Sequence, residues 1–418
     1  MYKVNVCSEI GVLEAVILHS PGQEVEKMTP GNVERALYSD ILNLSVAKEE
    51  YKQFKGILEK HCHAFEVKNL LSDILKEKKV KEKLLSEICI NEGVPELYEF
   101  LYSLGEDEIS RQLIEGVDLK RDTLTKYLSD ERYSIRPLHN FLYTRDASIS
   151  LFDKVLIGKM ASPVRDRESI IMNAIFKNHS YFLSETINPY ESANAKDLSG
   201  IKIEGGDILV VSDNVLVIGT GLRTSTQGID FISGIIKKEK KAPFHIIVQE
   251  LPEQPESFIH LDMVFTILDK DYCMVYEPLI LSQNRYRTIH ITIDNGKVKS
   301  IYNEPGLINA LNNLGFNFKP IKCGGTDNWN QEREQWHSGA NFFALAPGVI
   351  IGYERNVHTM EELDKHGFNV VNSLDIINNK ISFPKYKTVI TIAGAELARG
   401  GGGARCMSMP VKRKFVEW

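Results

Sequence analysis

The chain lacks the cysteine spacing of a metal centre or a disulfide framework. It contains no CxxC pair, and its cysteines show no other metal-ligand spacing. The six cysteines are scattered, at Cys7, Cys62, Cys89, Cys273, Cys323 and Cys406. This pattern predicts free thiols in a reducing compartment, most of them packed in the core.

Long apolar runs and an excess of basic residues are also missing. No run approaches the ~20 apolar residues needed to cross a bilayer, and Met1 to Val4 lack the apolar core of a signal peptide. The net charge of -6 disfavours nucleic acid as the main partner, because phosphate binding needs a basic surface. We therefore expect a cytoplasmic protein with no membrane and no nucleic-acid partner.

The composition supplies enough apolar material for large cores, since 43% of the 418 residues are hydrophobic. This length suggests two or three domains. Between residues 71 and 134, apolar residues recur at helical spacing in a charged background with few glycines and no clear strand. We predict an all-helical insertion of about four or five helices at residues 71–134. Residues 1–70 and 135–418 are then expected to form one α/β domain.

Hairpin patterns recur four times after residue 140. Each is an apolar strand, a tight turn and a second apolar strand, and most are followed by a helical stretch and a further strand. Polar residues precede the hairpins: Asp146, then Glu204 and Asp207, then His260 and Asp262, then Asn341. The first 70 residues resemble a degraded fifth copy. Such repeats predict a ring of ββαβ units whose polar residues converge on one site; unrelated surface turns in an ordinary α/β protein are the alternative.

A glycine-rich segment ends in a cysteine near the C-terminus. Residues 399–406 read Arg-Gly-Gly-Gly-Gly-Ala-Arg-Cys. Consecutive glycines let a ligand approach the backbone closely. The cationic neighbour Arg405 is expected to favour the thiolate of Cys406, which is the nucleophilic form. A flexible surface loop that happens to contain a cysteine is the alternative.

The polar residues and the cysteine allow several chemistries. Metal binding is disfavoured because the three carboxylates and His260 do not include a local ligand pair such as HxH or HExxH, and paired carboxylates for glycoside hydrolysis leave Cys406 without a role. Several carboxylates facing one small volume repel each other unless a cation lies between them, and a guanidinium suits bidentate carboxylate recognition best. A thiolate could then attack the guanidinium carbon while His260 transfers protons.

With these motifs in order, the chain resembles the arginine deiminase family of the guanidine-modifying (pentein) superfamily. The resemblance spans essentially the whole chain and rests on Asn140 to Asp146, Ile203 to Asp207, Ile259 to Asp262, Glu332 to Trp336 and Cys406 to Pro410. It implies a five-bladed ββαβ propeller (pentein fold) with a helical insertion. It also implies hydrolysis of L-arginine to L-citrulline and ammonia, no cofactor or metal, and a homodimer or higher homo-oligomer.

The resemblance implies a role for each site residue. Cys406 is expected to form a covalent thiouronium intermediate, and His260 to act as general acid and then as general base. Asp146 and Asp262 are expected to bind the guanidinium, and Glu204 to support both His260 and the guanidinium. The amino-acid end of the substrate is expected to contact Asn140, Arg165, Arg223, Leu37 and Gly400. Two arginines at that end would select a free amino acid over agmatine or peptide-bound arginine.

The sequence departs from the family pattern in the glycine loop. Gly401 stands where well-known bacterial members carry an arginine, and Arg405 stands where some relatives have histidine. Asp207 can be explained by the turn at Gly205 and Gly206, and Trp336 is expected to be structural. Other functions remain open: an amidinotransferase, an agmatine deiminase, or a non-catalytic arginine-binding protein on the same scaffold.

Overall fold

The computed structural model describes residues 2–30, 38, 40–192 and 198–418. Its strands are β1 (Tyr2–Lys3), β2 (Leu13–Leu18), β3 (His63–Glu66), β4 (Val117–Asp118), β5 (Tyr133–Ile135), β6 (Ser148–Leu151), β7 (Lys154–Ile157), β8 (Phe182–Leu183), β9 (Glu185–Ile187), β10 (Ile208–Ser212), β11 (Val215–Thr220), β12 (Phe244–Glu250), β13 (Phe265–Ile267), β14 (Tyr272–Val275), β15 (Thr288–Asp294), β16 (Lys297–Glu304), β17 (Lys319–Lys322), β18 (Phe343–Ala346), β19 (Val349–Tyr353), β20 (Asn369–Asn372), β21 (Thr388–Ile392) and β22 (Met409–Arg413). Its helices are α1 (Gln23–Glu26), α2 (Leu44–His61), α3 (Val67–Leu75), α4 (Lys78–Asn91), α5 (Tyr98–Tyr102), α6 (Glu106–Glu115), α7 (Leu124–Leu128), α8 (Asp166–Asn178), α9 (Pro189–Ser192), α10 (Thr226–Glu239), α11 (Glu277–Ile280), α12 (Leu307–Asn313), α13 (Asn328–Trp336), α14 (Val357–Lys365) and α15 (Ser373–Ile377).

Within the described part of the chain, five sheets share one pattern of strand pairing. A central strand runs antiparallel to one neighbour and parallel to the other. The central strands are β7 between β6 and β9, β11 between β10 and β12, β14 between β13 and β17, β19 between β18 and β21, and β2 between β22 and β3. A parallel pair needs a crossover connection, which helices α8, α10 and α2 supply in three of these sheets. This is the hairpin, helix and strand order that the repeats predict.

The sheet built on β2 joins the two ends of the chain. The sequence predicts a degraded fifth copy in the first 70 residues, and β2, α2 and β3 lie there. The antiparallel partner of β2 is β22, which pairs Met409 with Ile17 and Arg413 with Leu13. The copy has no first strand of its own because the C-terminal strand supplies it. This pairing brings Cys406, just before β22, close to the N-terminal segment.

The repeat units form because their strands and helices bury apolar residues. The strands Ile208–Ser212 and Val349–Tyr353 are buried throughout, as expected for near-continuous apolar runs in sheets covered on both faces. Helix α10 begins where Ser225 accepts a hydrogen bond from the Gly228 backbone N–H. Its buried face includes Ile232, which packs in the same apolar cluster as Ile208 and Val210 of β10. Core packing therefore places the start of each hairpin, where the polar residues lie.

The segment predicted to be all-helical contains a short strand. Helices α3 to α7 occupy most of it, but Val117–Asp118 pairs antiparallel with Tyr133–Ile135. Gly116 follows α6 with a φ of 88°, a conformation that other residues avoid, and it turns the chain into this strand. The expectation of no strand is therefore wrong at this point. Helices α3 to α6 share an apolar cluster with α8, including Ile88 and Ile171.

A second difference is a hairpin inserted between helix α11 and strand β17. Strands β15 and β16 do not join the sheet of β14; β15 pairs antiparallel with β12 and extends the neighbouring sheet. Asn295 and Gly296 form its turn, with φ values of 49° and 74°, as two-residue hairpin turns require. In the residues that the structure describes, none of the helices combines the length and apolarity needed to cross a membrane.

Candidate active site

The polar residues that precede the hairpins meet near the thiol of Cys406. Short 3₁₀ turns at Gly205–Asp207 and Leu261–Met263 carry the second and third sets. Asp146, Glu204, His260 and Asp262 are each at most 3% exposed, and Cys406 is 4% exposed. The structure thus brings together all five residues for which the sequence predicts a catalytic role.

Two glycines allow the turn at Gly205–Asp207 to approach its neighbours. A side chain on Gly205 would lie 2.0 Å from the carbonyl oxygen of Arg145, and one on Gly206 would lie 2.5 Å from the His260 ring. The Gly206 N–H donates to Asp146 Oδ1 at 3.1 Å. The local sequence Glu-Gly-Gly-Asp is therefore explained by close contact with Asp146 and His260.

His260 lies between two carboxylates. Its Nε2 is 2.8 Å from Glu204 Oε2, and its Nδ1 is 3.7 Å from Asp146 Oδ1. Burial opposes a charged imidazole, but the carboxylates of Asp146, Glu204 and Asp207 raise the pKa of His260 to about 9. The imidazole is therefore protonated at neutral pH and can act as an acid.

Glu204 is held in its ionised form by its neighbours. Burial alone would raise its pKa, but the hydrogen bond with His260 and the charges of Arg223 and Arg165 lower the pKa to about 2. The Ala161 N–H donates to Glu204 Oε1 at 2.9 Å, and Arg223 Nη1 lies 3.6 Å from the same oxygen. Both Glu204 oxygens are thus fixed before any substrate binds.

Cys406 is positioned by Asn341. The side-chain oxygen of Asn341 accepts hydrogen bonds from the Arg405 and Cys406 N–H groups at 2.9 and 3.2 Å, and its Nδ2 lies 3.2 Å from Sγ. Burial, and then the charges of Asp262 and Asp146, raise the pKa of the Cys406 thiol well above its usual value. Arg405 lowers the pKa of Cys406, as expected, but burial and the two carboxylates outweigh it, so the thiol is neutral here.

The guanidinium of Arg405 forms ion pairs with two carboxylates. Its Nη1 donates to Asp262 Oδ2 at 2.7 Å, and its Nε donates to Glu9 Oε2 at 2.9 Å. Both oxygens of Asp262 lie 3.8 Å from Cys406 Sγ. Asp262 thus contacts the thiol and a buried arginine at once.

The residues predicted to hold the amino-acid end of a substrate are only partly brought together. Asn140, Arg165, Arg223 and Gly400 line the same cavity as Cys406. Leu37 lies outside the described residues.

Arg165 forms ion pairs with two buried carboxylates. Its Nη1 donates to Asp146 Oδ2 at 2.8 Å, and its Nε and Nη2 bind Glu168. All three guanidinium nitrogens of Arg165 therefore already donate to carboxylates of the protein in this conformation. Arg223 lies nearer the rim, with 13% of its side chain exposed.

The cavity has a volume of about 270 Å³, close to the lower end of the ~300–1,000 Å³ typical of small-molecule sites. His260 and Cys406 lie on its wall, and Leu222, Arg399 and Trp336 also line it. Trp336, expected to be structural, therefore borders the site. The cavity suits a small polar ligand with a cationic group.

The glycine loop is packed rather than loose. A side chain on Gly402 would lie 2.4 Å from the ring of Tyr143, and one on Gly403 would lie 2.7 Å from Asn341. Gly401 has a φ of 80°, a conformation that favours glycine. The alternative of a flexible surface loop is therefore wrong, because these glycines let the loop pack against Tyr143 and Asn341.

Three site residues could also offer ligands to a metal ion. One ligand atom from each of Asp146, Glu204 and His260 lies within 4.8 Å of the others. Arg165 Nη1 already lies 2.8 Å from Asp146 and 3.8 Å from Glu204. A metal ion would have to displace this guanidinium and the proton of His260, because only a neutral imidazole ligates.

The strand pattern and this site define a class of protein. The amidinotransferase SxtG from Microseira wollei is similar to this chain with a TM-score of 0.54 and 13% identity, over 99% of this chain and 98% of that chain. The N-terminal domain of ArgZ, described as an arginine dihydrolase in cyanobacteria, matches with a TM-score of 0.52 and 12% identity, over 96% and 99%. The chain shares the α/β fold of these two proteins.

Sequence relatives then identify the family. A family model described as arginine deiminase matches residues 34–413. The arginine deiminase of Bacillus cereus (strain B4264) is 31% identical over 434 residues, covering 99% of this chain and 100% of that protein. The arginine deiminase of Mycoplasma capricolum subsp. capricolum is 31% identical over 425 residues, covering 99% and 98%. The chain belongs to the arginine deiminase family, so the resemblance carried by the motifs is confirmed.

The site also contains residues to which the sequence patterns assign no role. The hairpin pattern predicts that Asn341 converges on the site but gives it no function, while Glu9 and Glu168 have no signal at all. Asn341 shares its place before a hairpin with Asp146, and that place is the signal that could identify it. Glu9 and Glu168 are visible only through their contacts with Arg405 and Arg165.

Proposed function

We propose that this protein hydrolyses free L-arginine to L-citrulline and ammonia through a covalent intermediate on Cys406. The observation that carries the proposal is one cavity bordered by the Cys406 thiol, the His260 imidazolium and the Asp146 carboxylate, with Asp262 beside the thiol. A nucleophile, an acid and groups for a guanidinium are thus within reach of one small substrate.

In the first half-reaction the substrate brings its own positive charge to the carboxylates beside Cys406. Its guanidinium binds Asp146 and Asp262, and its positive charge offsets the carboxylates that raise the pKa of the Cys406 thiol. As the guanidinium binds, the thiol releases its proton to bulk water, and Sγ of the thiolate attacks the guanidinium carbon. His260 donates a proton to one terminal nitrogen as the carbon–nitrogen bond breaks, and ammonia leaves a thiouronium on Cys406.

In the second half-reaction the roles of His260 reverse. Having given up its proton, the imidazole accepts one from a water molecule, which attacks the thiouronium carbon. The carbon–sulfur bond breaks and Cys406 leaves as the thiolate. The hydroxyl proton of the product is then lost and restores the Cys406 thiol, and L-citrulline departs. Glu204, at 2.8 Å from His260 Nε2, stabilises the imidazolium at the start and end of the cycle.

The amino-acid end of the substrate is assigned to Asn140, Arg165, Arg223, Leu37 and Gly400. Arg165 pairs with Asp146 and is anchored on Glu168 through two of its nitrogens. When the substrate guanidinium replaces it at Asp146, Arg165 can turn about this anchor toward the substrate carboxylate. Arg223 approaches the same end from the rim.

The proposal extends to architecture and setting. The shared strand pattern supports a five-bladed ββαβ propeller, closed where β22 meets β2, with residues 71–134 inserted into a catalytic domain of residues 1–70 and 135–418. Six free cysteines suit the cytoplasm. A homodimer or higher homo-oligomer is also proposed.

An experimental structure tests the propeller and the domain bounds, and sedimentation measurements test the oligomeric state.

The direct test is citrulline release from free L-arginine in the presence of a chelator. We expect turnover of arginine, little turnover of agmatine or peptidyl arginine, and no dependence on glycine. Preference for agmatine would identify an agmatine deiminase, and glycine-dependent transfer would identify an amidinotransferase. Binding of arginine by folded protein without citrulline would show a non-catalytic binding protein and refute the proposal.

A further inference from the structure

Glu9 is a buried carboxylate near the site to which the reaction above gives no role. Its two oxygens accept hydrogen bonds from Arg405 Nε at 2.9 Å and from Arg405 Nη2 at 3.1 Å, a bidentate ion pair. Its N–H donates to the Val210 carbonyl at 2.8 Å, and the Val210 N–H donates back to Glu9 Oε1 at 3.2 Å. Glu9 is therefore fixed to strand β10 by backbone and side chain.

Arg405 transmits this anchor to Asp262. Its guanidinium is 1% exposed, and it donates to Asp262 Oδ2 at 2.7 Å and to the Ile208 carbonyl at 2.7 Å. Asp262 Oδ2 is thus occupied by Arg405. The other oxygen, Oδ1, lies 3.8 Å from Cys406 Sγ. Asp262 Oδ2 is also 3.8 Å from Sγ, so both oxygens border the thiol while Arg405 binds one of them.

Two more buried guanidiniums interact electrostatically with the Glu9 carboxylate. Arg145 and Arg413 are 5% and 2% exposed, and no carboxylate in the described ranges forms an ion pair with either. Burial opposes the ionised form of Glu9, but Arg405, Arg145 and Arg413 lower the pKa of Glu9 to about 2. Glu9 and Asp262 are the carboxylates whose charges act on Arg145 and Arg405.

We propose that Glu9 is a positioning residue, which holds Arg405 and balances this arginine cluster so that Asp262 keeps Oδ1 toward Cys406 and the substrate. This inference deepens the proposed function and rests on it. Without the charge of Glu9, the positive charges of the arginine cluster would attract Asp262 more strongly. It would turn toward the guanidiniums and away from the reacting carbon.

The first test is Glu9→Gln, which removes the charge and keeps the size of the side chain. We expect kcat/KM for arginine to fall about 10–100-fold, because a small displacement of a group that orients the substrate has that effect. Glu14→Gln is the matched control, since Glu14 pairs with Lys412 at 3.1 Å on the surface, and its kcat/KM should not change. A wild-type kcat/KM in Glu9→Gln would overturn the proposal.

A double-mutant cycle separates positioning from general loss of structure. Arg405→Met leaves the Glu9 carboxylate buried and unpaired, so its Tm should fall. Adding Glu9→Gln should raise Tm again and leave kcat/KM within about twofold of Arg405→Met alone, because the two residues act as one unit. If the losses in kcat/KM multiply instead, Glu9 acts independently of Arg405 and the proposal is wrong.

Two readouts need no turnover of arginine. The Tm cycle and the rate of Cys406 alkylation by iodoacetamide report the coupling even if the wild type releases no citrulline, so the two proposals can fail separately. The positioning role is supported if the Tm changes of Glu9→Gln and Arg405→Met are non-additive in the double variant and Glu9→Gln alters the alkylation rate. Additive Tm changes exclude it. Should Glu9→Gln not fold, Glu9→Asp replaces it: lost activity at wild-type Tm supports the role, and full activity excludes it.

Discussion

The electrostatic setting of His260 makes a quantitative prediction for Glu204→Gln. The carboxylates of Asp146, Glu204 and Asp207 raise the pKa of His260 to about 9 against burial. Relative to the ordinary value near 6.5, this stabilises the imidazolium by about 3 kcal/mol. Glu204 supplies both a hydrogen bond at 2.8 Å and a charge. Removing its charge should cost about 1–1.5 kcal/mol of this, which lowers the pKa by roughly one unit.

The assay is an NMR titration of the histidine ring signals in the substrate-free protein. The chain has 11 histidines, and His260→Gln identifies the signal that disappears. Glu204→Gln should move its midpoint from about 9 toward about 8, since Asp146 still lies 3.7 Å from Nδ1. Asp40→Asn is the control, because Asp40 pairs with the exposed Arg399 at the mouth of the cavity. A midpoint that does not move in Glu204→Gln would refute the account of His260.

Further predictions concern stability and the glycine loop. The pKa of His260 is higher in the folded protein than in the unfolded chain. Its contribution to stability is therefore complete below pH ~6.5 and is lost as the pH rises through about 9. Tm should fall less over that pH range in His260→Gln than in the wild type, and equal declines would contradict this. Gly402→Ala should destabilise by about 1–3 kcal/mol and slow turnover, since its side chain would meet the Tyr143 ring. Gly234→Ala, in open space within helix α10, should stabilise by about 0.5–1 kcal/mol; equal Tm changes in the two variants would refute the packing argument. Asn341→Ala should lower kcat/KM on the order of 10–100-fold, because it removes hydrogen bonds to Cys406 worth about 1 kcal/mol each, and a wild-type kcat/KM would show that Asn341 does not position the thiol.

Local patterns in the sequence predict most of the site. A polar residue at the start of an apolar hairpin is visible in a single sequence, and repetition of that pattern points to Asp146, Glu204, His260 and Asp262. The same pattern predicts four of the five sheets, because alternating strands, turns and helices are encoded in short stretches of chain.

Contacts between distant segments leave no such local pattern. The pairing of β22 with β2 brings Arg405 to Glu9, and no local signal in either segment indicates the other. The neutral state of the Cys406 thiol also escapes prediction, because burial and the charges of Asp262 and Asp146, which outweigh Arg405, arise only in the folded chain. The short strand β4 escapes prediction because only two residues form it.

Labelling of Cys406 during turnover tests the central claim most directly. Protein mixed with carbon-labelled L-arginine and quenched in acid within one turnover should carry label on the peptide that contains Cys406, with a mass increase equal to arginine less ammonia. Cys406→Ser should carry no such adduct and release no citrulline. Citrulline formed at the wild-type rate with no label on Cys406 would contradict the covalent mechanism.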